Sequence, residues 1–206
     1  MRAREAVSLL PFASLSAVHL GAKLGHHHQL TVASKPGLLP LLALRFAAGP
    51  RPDVGTGALL GGGMLLSWLG DVTIDRSFRT GLVAFLAAHL CLIALFWTTF
   101  RHRPSPWAWL LLPWLGFMLV VLRPRLDTLY PAVAVYATVL AAMAASATRG
   151  GVRVGLGGIL FVVSDSVLAL RQFTPWLRSH RWGAVVMASY LAAQALLVDG
   201  VLRPSE

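Results

Sequence analysis

Apolar runs of about twenty residues recur along almost the whole chain, separated only by short polar or proline- and glycine-rich breaks. A helix needs about 20 mostly apolar residues to cross a bilayer, so runs of this length restrict the chain to a bundle of spanning helices. The runs lie at roughly 5–21, 34–49, 54–73, 79–99, 106–122, 128–147, 152–171 and 181–200. Between them stand GHHHQLTVASKP, GPRPDVG, DRSFRT, RHRPSP, RPRLD, TRGG and TPWLRSHR, the compositions that stop helices and face water. The N-terminal stretch has the basic start and short apolar core of a signal peptide. The runs that follow favour a first membrane helix instead. The expected fold is therefore all-α: one integral membrane bundle of about eight transmembrane helices over residues 1–206, multi-pass in the cell membrane, with loops too short for a soluble domain. Composition agrees, since 56% of residues are hydrophobic and only 13% charged, about half the soluble norm of roughly 25%.

The formal net charge is +10. Such a surplus raises the question of nucleic acid, but the basic residues sit at helix ends, where lipid headgroups lie. No basic patch interleaves with aromatics, so no nucleic-acid partner is expected. The 18 Lys and Arg residues divide nine and nine between the two predicted faces, which leaves orientation undetermined. The single cysteine, Cys91, excludes an internal disulfide framework and a cysteine-cluster metal site.

Ionisable residues inside apolar runs are costly and often functional. Asp71 ends the run MLLSWLG, and Asp165 sits within GGILFVVSDSVLAL. Asp199 is near the end of the last run and reads as interfacial. Alternating helix direction places Lys35, Asp71 and Asp165 in one half of the bilayer, with His89, Tyr136 and Tyr190 just beneath. A polar pocket follows if these faces converge. Spacing allows it: Ser67 and Asp71 share a helix face, as do Tyr190 and Gln194, while Gly158, Phe161 and Asp165 form another stripe beside Ser164. Structural readings stand next to these. Asp71 pairs with Lys35 or Arg76; Asp165 anchors two helices; His89 and the tyrosines are satisfied core residues; Lys35 snorkels to the headgroups. The tract His26–His28 reads as a solvated loop.

The ordered set of pieces resembles the YhhN family of membrane proteins, whose characterised members are lysoplasmalogenases. The pieces are Lys35-Pro36, Ser67-Trp68-Leu69-Gly70-Asp71, GLVAFLAAHL at 81–90, Tyr136 with Met143, GGILFVVSDSVLALRQF at 157–173 with Phe161, Ser164, Asp165, Leu168 and Phe173, and Tyr190 followed by Gln194. Leu92 departs from the pattern, standing where relatives often carry an aromatic. The resemblance implies a multi-pass hydrolase that cleaves the vinyl ether bond of a lysoplasmalogen, releasing a fatty aldehyde and glycerophospho-ethanolamine or glycerophospho-choline.

That chemistry needs a positioned acid to protonate carbon, a negative group near the resulting cation, and a base for water. Two carboxylates in unlike surroundings can divide this work. Asp71 and Asp165 are the expected catalytic pair, with His89 shuttling protons or positioning water. Lys35 is placed for the substrate phosphate, and Ser67, Ser164, Tyr136, Tyr190 and Gln194 complete the expected binding set. Neither a metal nor another cofactor is expected. The rival readings are a small proton- or cation-coupled transporter using Asp71 and Asp165 as a relay, a metal-dependent intramembrane hydrolase, and a purely structural membrane protein.

Overall fold

A computed structural model describes residues 3–203, with side chains from Ser8 onward. Among these the chain is helical throughout, with no strand. The helices are α1 (Ala3–Leu24), α2 (His28–Ser34), α3 (Leu38–Ala48), α4 (Val54–Thr73), α5 (Phe78–Thr99), α6 (Leu111–Leu126), α7 (Tyr130–Ala147), α8 (Gly151–Phe173) and α9 (His180–Leu202). Helix is the conformation that satisfies every backbone N–H and C=O within one segment, which lipid demands. Among the described residues, four stretches are long and apolar enough to cross a membrane: His28–Ala48, Phe78–Thr99, Pro106–Phe173 and His180–Leu202. The third is 68 residues long and runs through α6, α7 and α8.

Local chemistry sets several ends. The Asp53 carboxylate caps α4 by accepting from the Thr56 backbone N–H at 3.1 Å. Ser77 caps α5 in the same way through Thr80. Gly151, at φ 78°, turns the chain from α7 into α8, a conformation that costs glycine little.

Two boundaries differ from the sequence expectation. The second run starts earlier: α2 occupies most of the expected loop GHHHQLTVASKP, and a 3₁₀ turn at Lys35–Gly37 joins it to α3. The expected helix from 106 begins as a 3₁₀ turn, Pro106–Leu110, and α6 then continues to Leu126, through the expected break RPRLD. Its Pro124 lies in the last turn, so the N–H bond it removes interrupts the helix only at its end.

The tightest packings are the hairpins α4–α5 and α8–α9. Helix α7 lies against both α5 and α8, α1 packs on α3 and α9, and α6 lies outside α7 and α8. Helix α9 is the most enclosed of the apolar stretches. The outward faces keep large apolar side chains such as Leu65, Val83, Leu90, Phe117 and Val120 exposed. Exposed tryptophans gather near helix ends: Trp97, Trp107 and Trp109 around the α5–α6 connection, Trp176 and Trp182 around the α8–α9 connection.

Not every basic residue at a helix end faces outward, as the sequence suggested. Arg45 is fully buried at the end of α3, its Nη2 2.7 Å from Asp199 Oδ1 on α9. Arg153 and Arg203 also approach that carboxylate, at 3.5 and 3.4 Å. Asp199 is thus the hub of an ion cluster joining α3, α8 and α9 rather than a simple interfacial residue. Arg149 is buried too. It donates to the Phe100 carbonyl, just past the end of α5, at 2.7 Å and lies over the Trp97 ring.

Candidate active site

A cavity of about 300 Å³ opens at the end of the bundle where α4 stops, α5 starts and α8 stops. Its inner wall holds two carboxylates from helices far apart in the sequence. Asp71 stands in the last turn of α4, 6% exposed, and its Oδ2 accepts a hydrogen bond from the Tyr190 hydroxyl of α9 at 2.7 Å. Asp165, on α8, accepts the hydroxyl of Tyr136 from α7. Its side chain is 14% exposed. The wall therefore carries two tyrosine–aspartate pairs, built from four different helices.

The second pair is backed by His89 on α5. Its Nε2 lies 3.1 Å from the Tyr136 hydroxyl and 3.9 Å from Asp165 Oδ2. A phenol has one proton, and that of Tyr136 is directed at Asp165. The hydroxyl oxygen then accepts from Nε2–H, which selects that tautomer. Nδ1 is left buried without a partner among the described residues. Phe161 stands between the pairs, edge-on to the His89 ring at 4.7 Å and to the Tyr190 ring at 5.4 Å. Phe85, Leu82, Val133, Leu168 and Met187 make the rest of the inner wall apolar.

The expected site residues divide into two groups. Asp71, Asp165, Tyr136, Tyr190, Ser164 and Lys35 line the cavity. His89, Ser67 and Gln194 are buried and stand behind that lining. Ser164 donates its hydroxyl to the Val186 carbonyl at 3.0 Å, tying α8 to α9. Ser67, one turn below Asp71, has a buried hydroxyl with no partner among the described residues. Lys35 pairs with neither carboxylate of the inner wall. Its Nζ is 2.5 Å from Asp75, so the alternative of an Asp71 ion pair with Lys35 or Arg76 is not what the structure contains.

Sequence reasoning missed several groups here. Asp75 lies four residues beyond Asp71, just past the end of α4, and the spacing was readable. Lys23 and Arg171, which the sequence does not mark as site residues, both line the cavity. His19 is fully buried on α1, its Nδ1 2.8 Å from the Ser34 hydroxyl. The tract at 26–28 is not merely solvated: the His26 ring stacks on His180 at 4.3 Å.

Two carboxylates thus face one largely apolar cavity, each accepting a phenol hydroxyl, and their surroundings differ in that only the Tyr136 phenol has a histidine behind it. No solved structure matches the chain. Known proteins do. The human protein named Lysoplasmalogenase TMEM86B is 35% identical over 175 residues, covering 80% of this chain and 73% of its own length. The Sus scrofa protein of the same name is 34% identical over 167 residues, covering 77% and 70%. The Rattus norvegicus one is 33% identical over 153 residues, covering 70% and 62%. Residues 30–201, from α2 to the last turn of α9 and so including both tyrosine–aspartate pairs, match the YhhN family as a whole, and the chain belongs to that family.

Proposed function

We propose that this membrane protein is a lysoplasmalogenase, hydrolysing the vinyl ether bond of a lysoplasmalogen to a fatty aldehyde and glycerophospho-ethanolamine or glycerophospho-choline. The observation that supports the chemistry best is the pair of carboxylates, Asp71 and Asp165, on one cavity wall, each accepting a tyrosine hydroxyl.

The reaction begins with proton transfer to the β-carbon of the vinyl ether, leaving an oxocarbenium ion. Water then adds to the carbon bonded to oxygen, giving a proton to the ionised carboxylate, and the hemiacetal collapses as the glycerol oxygen takes that proton and the hemiacetal hydroxyl returns one to the carboxylate that acted first as the acid. Asp165 has a hydroxyl and an imidazole behind it, both donating toward it, which hold the carboxylate toward the cation, and the carboxylate itself accepts the proton lost by water. That leaves Asp71 as the proton donor, oriented by Tyr190. Preorganised groups of this kind cost no reorganisation as charge develops. The apolar wall takes the start of the hydrocarbon chain, Lys35 stands at the mouth near headgroup level, and Ser67 and Gln194 support the wall from behind. The residues are sufficient for these steps without a metal or other cofactor.

We read the chain as one domain crossing the membrane eight times, α2 and α3 together making the second pass. Exposed tryptophans near both ends of the bundle support this, since indoles favour the two interfaces. The cell membrane is the proposed location.

The test is aldehyde release from a lysoplasmalogen by the purified protein beside Asp71→Asn and Asp165→Asn. Wild-type turnover and a loss of at least about a hundredfold in each folded variant are expected, the scale of a lost general acid or base. Absence of wild-type turnover overturns the activity; full turnover in both variants overturns the mechanism.

A further inference from the structure

Outside the carboxylate wall the cavity changes sign. It joins a second chamber of about 430 Å³ that shares Lys23, Lys35, Asp75 and Arg171 with it. Three of these four groups are cations, drawn from the end of α1, the turn before α3 and the end of α8. Asp75, the acid among them, is taken by Lys35 at 2.5 Å.

Lys23 and Arg171 have no such partner. Among the described residues neither forms an ion pair, and the Arg171 Nε is buried without a hydrogen bond. Yet they are held together. A Cβ placed on Gly183 of α9 would lie 3.0 Å from Lys23 Cε and 3.5 Å from Arg171 Cζ, so both side chains cross the same glycine floor. Two like charges packed side by side repel, and an anion between them removes the repulsion. A guanidinium beside an ammonium is also a donor set suited to phosphate oxygens.

We infer that Lys23 and Arg171, over Gly183 and beside Lys35, form a binding site for the phosphodiester of a lysophospholipid headgroup, which holds the lipid with its chain-bearing bond at the inner carboxylates. This rests on the hydrolase reading for its purpose but not for its test. Lys23 and Arg171 then determine specificity, separating phospholipid from neutral lipid, while the inner wall performs the chemistry.

Binding of a non-cleavable 1-O-alkyl lysophospholipid is compared with that of the 1-O-alkylglycerol of equal chain length, using the full chain in detergent. For the phospholipid, Lys23→Gln and Arg171→Gln are each expected to raise Kd at least tenfold, and Lys23→Arg to stay within about threefold of wild type. Alkylglycerol affinity is expected to stay within twofold in all three, which also reports an intact fold. Rising ionic strength is expected to weaken wild-type binding of the phospholipid alone. Unchanged phospholipid affinity, equal loss for both probes, or an absent salt effect overturns the inference. So does inorganic phosphate that displaces the phospholipid at comparable concentration, since a soluble anion would then be the occupant. Because neither probe is cleaved, a protein that binds in the expected pattern but releases no aldehyde keeps this site and loses the hydrolase reading.

Discussion

At the scale of single residues, the site depends on hydroxyls more than on ion pairs. Asp71 and Asp165 each take a phenol, and Lys35, which lines the same cavity, is engaged with Asp75. A hydrogen bond to a charged group contributes about 1.5–3 kcal/mol, and about 1.36 kcal/mol is tenfold in rate. Tyr190→Phe and Tyr136→Phe should therefore each slow aldehyde release by roughly ten- to a hundredfold. Wild-type rates in both would show that the phenols only fill space. The aspartates were visible in the sequence because a carboxylate in an apolar run is costly. Which group each one met was not visible, since Tyr190 lies 119 residues from Asp71.

At the scale of helices, close approach is what aligns the pairs. A Cβ on Gly158 of α8 would lie 2.8 Å from Ala147 Cβ and 3.1 Å from Ala144 Cα on α7. These are the helices that carry Tyr136 and Asp165. Gly158→Ala should force them apart at a cost of about 1–3 kcal/mol, the scale of overpacking a filled core. A lower thermal midpoint in detergent is expected together with reduced turnover; an unshifted midpoint would mean the α7–α8 contact is looser than described. Helix starts give a pH-dependent prediction. The Thr56 side chain and backbone N–H, hydrogen-bonded to Asp53, hold its carboxyl below the usual carboxylate range. A depressed folded value means that the cap stabilises α4 above the ordinary carboxylate pKa and is lost as pH falls through the lower, folded one. Carbon-detected NMR of labelled Asp53 should give a midpoint below that of an unfolded peptide, and Thr56→Val should raise it.

At the scale of the whole molecule, charge ties the end of the bundle opposite the site. Arg45 is fully buried and held by Asp199, with Arg153 and Arg203 nearby. Removing one partner of a buried pair leaves an uncompensated charge and typically costs about 3–5 kcal/mol, whereas replacing both by apolar groups is often neutral. Asp199→Leu should therefore lower the thermal midpoint far more than the double variant Arg45→Leu/Asp199→Leu. Equal losses would show that Arg153 and Arg203, not Arg45, depend on that carboxylate. The sequence assigned Arg45 to the headgroups because nothing local distinguishes a snorkelling arginine from one turned inward.

The sequence by itself determined where most of the helices are and which carboxylates were out of place. Both follow from local physics: the length of an apolar run sets a helix, and a carboxylate within it is conspicuous in isolation. Its errors at α2 and α6 arose where polar residues or proline sit in terminal turns, which tolerate either conformation. Only the tertiary structure decided that Asp71 meets Tyr190, that Asp165 meets Tyr136 with His89 behind it, that Lys35 turns to Asp75, and that Lys23 and Arg171 converge on Gly183. Those meetings depend on the rotation and depth of each helix against its neighbours. In this chain that geometry is set by close contacts between glycines and side chains many residues apart, which no single stretch of sequence contains.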